Sequence, residues 1–275
     1  MQPSAPPPVG PGFRLADVDP DAQPGIEDKD AAEAYVAATA EEFADLQERF
    51  FAEARGGGTR SLLLVLQAMD TAGKGGIVRH VVGLVDPQGV RITGFKAPTA
   101  EEREHDFLWR IRKALPAPGL IGVFDRSHYE DVLIHRVRGL SPLDVVEARY
   151  GIIRDFEAEL VAGGTTIRKV MLQISKDEQR ERLAERLDRP DKHWKFNPGD
   201  IDERELWDDY QAAYQLAIER TATPEAPWWV VPANRKWYAR WAVYALLLET
   251  LRELDPQWPA PDFDVDHERA RLAAS

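Results

Sequence analysis

Apolar residues along this chain come in short runs and spaced stripes whose period changes repeatedly. Over residues 29–56 they recur at helical spacing (Tyr35, Phe43, Leu46, Phe50), and Gly56-Gly57-Gly58 closes the stripe. That pattern predicts an amphipathic helix with a glycine stop. Ser61–Gln67 (SLLLVLQ) is a continuous apolar run, as expected of a strand buried on both faces of a parallel sheet. A glycine-rich turn follows, then a helix over about 74–85, a strand over about 90–95 and a helix over about 100–114. A third strand, Leu120–Phe124, is followed by helical stretches to about 162, and a fourth strand covers Ile167–Ile174. A long charged helical region (176–189 and about 202–222), a strand at Trp228–Val231 and a helix over Arg235–Leu254 complete the alternation. Strands alternating with helices predict an α/β fold whose parallel sheet is covered on both faces.

The flanks read differently. Residues 1–27 hold many of the prolines and no apolar period, which predicts a mobile arm. One domain is expected over 28–255, with a tail over 256–275. Arg189–Asp200 (RPDKHWKFNPGD) interrupts the helical pattern with turn residues, so about 176–210 reads as a lid with an elbow. The chain has 275 residues, 44 % hydrophobic and 30 % charged, and no cysteine. Disulfides, thiolate zinc sites and a cysteine nucleophile are therefore excluded, and a reducing cytoplasm is the expected location. The longest apolar runs, Leu62–Leu66 and Ala245–Leu248, are too short to span a bilayer. The start, MQPSAPPPVGPGF, lacks the basic and apolar regions of a signal peptide.

Charge narrows the choice of partner. The net charge of −12 divides into −8 over 1–59, +2 over 60–150, −2 over 151–165, +3 over 166–195 and −7 over 196–275. So acidic a chain is a poor general nucleic-acid binder, because that binding rests on neutralising many phosphates. The mildly basic middle can still hold a small or narrow polyanion.

The chemistry clusters at the predicted strand ends. After the first strand come Asp70, Thr71, Ala72, Gly73, Lys74, Gly75 and Gly76, and then a helix. Such a turn points backbone N–H groups at one spot, and a lysine adds full charge there. The match to the Walker A phosphate loop is partial, since Ala68 replaces the first glycine and Gly75 the Mg²⁺-binding hydroxyl. Asp70 is then the nearest metal candidate, or else a turn-capping aspartate. The third strand ends in Asp125, where phosphate-loop enzymes place a metal-binding acid. Arg126 either holds Asp125 or clamps a phosphate bidentately. His128 and Tyr129 read as packing residues, while Glu130 and Asp131 open a helix and are candidates for orienting substrate. Arg182, Arg186 and Arg189 share one helical face, either a solvated face or the underside of a lid. Lys192 and Lys195 extend that stripe. Lys96, Arg110, Arg112 and Lys113 continue it on the body, and Asn234-Arg235-Lys236 follow the last strand. Trp194 and Trp207 read as packing anchors.

Seven segments, in order, carry a resemblance. They are Met69–Gly76, Asp86–Val90, Phe95–Pro98, His105–Arg110, Phe124–Asp131 (FDRSHYED), His193–Asn197 and Asn234–Tyr238. Over about 40–254 the chain resembles the polyphosphate kinase type 2 family, and its Ser-His-Tyr-Glu-Asp wording is closer to the branch acting on AMP as well as ADP. The resemblance implies a three-layer α/β/α phosphate-loop kinase fold with a parallel central sheet and a helical lid. It implies Mg²⁺-dependent transfer of the terminal phosphoryl group of inorganic polyphosphate to AMP or ADP. Mn²⁺ is an alternative ion, guanine nucleotides are an alternative to adenine ones, and homodimers or homotetramers are expected. By the same carry-over Asp70 and Asp125 position the metal and the nucleophile, Lys74 meets the transferred phosphate, and Arg126, Arg182 and Arg186 serve the phosphate chain. The competing readings are an ATP-dependent nucleoside or nucleotide kinase and a non-catalytic nucleotide-sensing module.

Overall fold

The computed structural model describes residues 3–275. Residues 1 and 2 of the expected arm lie outside the described residues. The chain runs α1 (Lys29–Arg55), β1 (Ser61–Ala68), α2 (Lys74–His80), β2 (Val90–Gly94), α3 (Ala100–Arg103), α4 (Trp109–Ala114) and β3 (Ile121–Asp125). It continues through α5 (Ile134–Val137), α6 (Leu143–Ala162), β4 (Thr165–Gln173), α7 (Lys176–Asp188), α8 (Gly199–Glu205) and α9 (Trp207–Thr221). The last elements are β5 (Trp228–Pro232), α10 (Lys236–Leu254) and α11 (Val265–Ala273). The strands form one parallel sheet in the order β2-β3-β1-β4-β5.

Every residue of β1 is buried, which follows from its central place and from helices on both faces. On one face α10 packs against α1 and α2. It is apolar almost all round, and Trp241, Tyr244, Leu247 and Leu251 are buried, as suits a helix enclosed by neighbours. Phe43 and Tyr35 of α1 meet Tyr244 edge-on. On the other face α6 and α9 pack together, and α9 buries Tyr210, Ala213, Tyr214, Ala217 and Ile218 at helical spacing. The result is the expected three-layer α/β/α fold. Among the described residues no helix is long and apolar enough to cross a membrane.

Three boundaries differ from the pattern-based expectation. The helix expected to reach residue 85 ends at His80, and Val82–Leu84 is a 3₁₀ turn. Pro87 follows, and it holds the preceding Asp86 extended (φ −62°, ψ 122°). The helix expected over 100–114 is two pieces, because the Asp106 carboxylate accepts from Leu108 N at 2.9 Å and starts a new turn. The stretch expected as a mobile arm is a packed strap over its described residues. Val9 N donates to Trp228 O, Trp229 Nε1 to Pro6 O, Leu15 N to Gln215 Oε1 and Tyr238 Oη to Pro24 O, and Leu15 is buried. Prolines donate no backbone hydrogen bond, but their carbonyls accept, and one apolar side chain anchors the rest.

Candidate active site

The loop between β1 and α2 turns through two left-handed residues. Gly73 has φ +119°, a conformation that a side chain resists, and Thr71 has φ +66°. Lys74 opens α2 and donates from Nζ to Ala68 O at 3.2 Å. β3 lies beside β1 with Asp125 in register with Leu66, so both strands deliver acids to the same end of the sheet, where open α/β sheets bind ligands. Arg126 follows with φ +65°. Its N–H donates to Leu66 O at 3.0 Å, and its guanidinium meets Asp70 Oδ1 at 2.9 Å. One member of this ion pair, Arg126, and the residue after the other, Thr71, are thus both in left-handed geometry, a concentration of strain typical of functional sites. Burial disfavours the charge on Arg126, but Glu130 and Asp70 outweigh that and raise its pKa.

A cleft of about 700 Å³ opens over this point. It is lined by the loop from Asp70 to Gly76, by Asp125 and Arg126, by Lys96 beyond β2, and by Arg186, Arg189, Lys192 and Lys195 of the lid. Lys236 and Arg240 of α10 and Arg79 and His80 of α2 complete the wall. A second cleft, of about 200 Å³, adjoins it at the Asp70–Arg126 pair, and those two residues line both. Its wall differs in character: Glu130, Asp200, Glu203, Asn197, Tyr210 and Tyr214. Desolvation raises the pKa of Glu130 in spite of Arg126 and Lys74 nearby. With its amide turned to satisfy its neighbours, Gln67 donates to Glu130 Oε1 at 3.0 Å and accepts from Ser127 N at 3.1 Å.

Most of the expected site therefore converges, and several members do not. Arg182 borders the larger cleft but is buried with its donors committed. Nη1 donates to Thr71 O and Ala72 O, Nη2 to Ala233 O and Asn234 O, and Nε to Glu178. A guanidinium has five N–H groups, so none is left for a ligand. Arg110 lines neither cleft; it donates to Lys96 O, pairs with Glu102 and covers the Phe95 ring. Arg112 is bound to Glu159, and Lys113 lies 3.4 Å from the Trp109 ring centroid. Asp131 is buried against His135 and Arg149 and lines neither cleft. Asn234 bonds Asp21 and Ser175, and Arg235 bonds Gln23, which leaves Lys236 as that motif's member in the cleft. Trp207 is buried as expected, whereas Trp194 is 79 % exposed. The sequence reading missed Arg240 and Arg79, although Arg240 stands four residues after Lys236 and hence on the same helical face.

The donor set bears on a metal. Among the described residues no three His, Cys, Asp or Glu side chains gather into a cage. Asp70 and Asp125 edge the larger cleft together, and one or two carboxylates plus substrate oxygens and waters are what Mg²⁺ takes.

Comparison with known proteins agrees with this geometry. The family model described as Polyphosphate kinase 2 (PPK2) matches residues 26–259. An AMP/ADP-polyphosphate phosphotransferase of Meiothermus ruber is 48 % identical over 251 residues, 91 % of this chain and 92 % of that one. An ADP-polyphosphate phosphotransferase of Rhodopseudomonas palustris is 42 % identical over 235 residues, 80 % and 78 % of the two chains. The crystal structure of Polyphosphate Kinase 2 from Arthrobacter aurescens TC1 superposes with a TM-score of 0.95 at 59 % identity, covering 98 % of this chain and 95 % of that one.

Proposed function

Because this chain belongs to the polyphosphate kinase 2 family, we propose that its two clefts hold the two substrates of one phosphoryl transfer, from inorganic polyphosphate to AMP or ADP. The observation that carries this reading is the junction: a cation-walled cleft and an acid- and tyrosine-lined cleft meet at Asp70 and Arg126. Polyphosphate occupies the larger cleft and the nucleotide the smaller one, so donor and acceptor meet at the junction, where an in-line displacement takes place.

The acceptor phosphate has a second pKa of about 6. It is largely ionised at neutral pH and needs no strong general base. The difficulty is electrostatic, since two unit charges about 4 Å apart near a protein surface repel by about 4 kcal/mol, and each substrate carries several. Lys74 and Arg126 offset this at the junction, and Lys96, Arg186, Lys195 and Lys236 along the donor. Mg²⁺ or Mn²⁺, held by Asp70 and Asp125, supplies further neutralisation of the phosphoryl oxygens when bound. Glu130, fixed by Gln67, orients the nucleotide. In a loose transition state such positioning and charge placement do most of the catalysis. Adenine and guanine nucleotides are both candidates for the acceptor. Cytoplasmic operation fits the cysteine-free chain, and a homodimer or homotetramer is the state that sedimentation should return.

The test is to incubate AMP and ADP separately with polyphosphate and Mg²⁺ and to resolve the products by chromatography. ADP from AMP, or ATP from ADP, is the expected result. Turnover with ATP as the only effective donor overturns the donor assignment, and nucleotide binding without any turnover overturns catalysis. Lys74→Ala should lower kcat by about 10²–10³-fold, as for loss of one transition-state donor.

A further inference from the structure

Gln179 of α7 is a buried polar side chain, 1 % exposed, with no part in the transfer just described. Its amide is engaged at both ends. Nε2 donates to Asp70 O at 3.2 Å, and Oε1 accepts from Arg204 Nη1 of α8 at 3.3 Å. One turn along the same face, Arg182 Nη1 donates to Thr71 O at 3.0 Å and to Ala72 O at 2.9 Å. Helix α7 therefore holds three successive carbonyls of the phosphate loop. The partners also fix which way the Gln179 amide lies, since a carbonyl takes only a donor and a guanidinium offers only donors.

The hold falls where the loop is strained. Thr71 has φ +66°, and a left-handed non-glycine residue persists only where its surroundings over-determine it. Peptide groups are planar, so the two groups flanking a Cα set its φ and ψ. Arg182 fixes the group after Thr71. The group before it, from Asp70 C=O to Thr71 N–H, is fixed by Gln179: among the described residues no other donor reaches Asp70 O, and Thr71 N–H has no acceptor. In a trans peptide that N–H points opposite to the C=O, hence away from Gln179. Without the amide this group is free to turn over. It would then aim a carbonyl oxygen where an N–H stood, and a loop of this kind receives phosphate through its N–H groups.

We propose that Gln179 is a positioning residue for the phosphoryl transfer: it locks the Asp70–Thr71 peptide group, so that the N–H stays turned away from α7 and the Asp70 carboxylate stays at the junction of the two clefts. The proposal rests on the donor assignment above. An amide both donates to the loop and accepts from Arg204. An ionised glutamate of the same shape still answers Arg204 but sets an oxygen against the Asp70 carbonyl.

The experiment measures kcat, KM for polyphosphate and KM for ADP on the full chain, at a temperature where thermal melts show each variant folded. Wild type, Gln179→Glu, Gln179→Met and Arg204→Met are compared. Both Gln179 variants should lose about 10–10²-fold in kcat, the scale of a misplacement of about 1 Å. Both KM values should stay within about threefold, the pattern of an interaction made chiefly in the transition state. Arg204→Met should lose less, because Gln179 keeps its donor. Wild-type kcat in either folded Gln179 variant overturns the positioning role and leaves the donor assignment standing. So does a kcat that falls only in proportion to the fraction folded. If Gln179→Glu does not fold, Gln179→Met decides; if neither folds, the residue is structural and the proposal falls. A wild type inert with every polyphosphate overturns the donor assignment as well.

Discussion

A side chain with every donor already engaged cannot also receive a substrate, and Arg182 is that side chain. Its spacing from Arg186 and Arg189 identifies a helix face but not what the face meets. In the fold it meets the carbonyls of Thr71 and Ala72 and those of Ala233 and Asn234. Arg182→Ala should therefore act first on stability, by about 3–5 kcal/mol, the usual cost of breaking a buried charged contact. A urea titration checks this, and an unchanged midpoint with impaired polyphosphate use would restore the ligand role. Arg182→Lys should rescue little, because three donors on a point charge cannot copy a planar fork. Lys74, Asp70 and Asp125 were legible in the sequence for a different reason. Asp125 ends β3, Asp70 follows the end of β1 by two residues and Lys74 opens α2 across the glycine turn, so element ends readable in the sequence decide where each lies. Arg110 and Asp131 misled because neighbouring acids and bases neutralise them within the fold, and those partners lie up to 18 residues away in the chain.

At the level of elements the alternation of strands and helices could be read almost throughout, since burial on both faces of the sheet writes itself as apolar runs. What the runs concealed is a polar knot beneath the site. Lys169 of β4 is fully buried and donates to Glu157 of α6 at 2.6 Å, to Tyr129 Oη at 3.1 Å and to Thr221 O at 2.8 Å. Tyr129 donates to the same glutamate at 2.8 Å. The knot joins β4, α6 and α9 to the turn that carries Arg126 and Glu130. One basic residue in an otherwise apolar strand does not announce the acid that answers it from another helix. Lys169→Met strands Glu157 without its counter-ion and should cost about 3–5 kcal/mol, whereas pairing it with Glu157→Leu should recover much of that. Chemical denaturation of the single and double variants decides; a single variant as stable as wild type would mean that the ion pair contributes nothing.

Across the whole molecule the charge asymmetry has a spatial counterpart. No described residue of the acidic first 59 lines either cleft. From the acidic C-terminal portion only Asp200 and Glu203 bring acid to one, the smaller cleft. The proline-rich strap misled because composition reports how much apolar surface a segment carries, not whether one leucine finds a socket. Leu15→Ala should lower stability by about 2–4 kcal/mol, a typical cavity cost. At roughly 2–4 °C per kcal/mol for a chain near this size, calorimetry will see it, and an unchanged Tm would mean the segment is loose after all. The commitment of Arg182 also limits what can swing. The start of α7 is riveted to the loop, Arg186 ties α7 to Asp200 at 3.2 Å, and Arg204 donates back to Lys176 O. The elbow between these ties is braced as well: Arg186 donates to Lys195 O at 3.0 Å, and His193 Nε2 lies 2.8 Å from Leu187 O. Lys192 and Lys195 therefore reach the larger cleft from a braced segment, so this part of its basic wall is preset by the fold rather than carried on a loose flap.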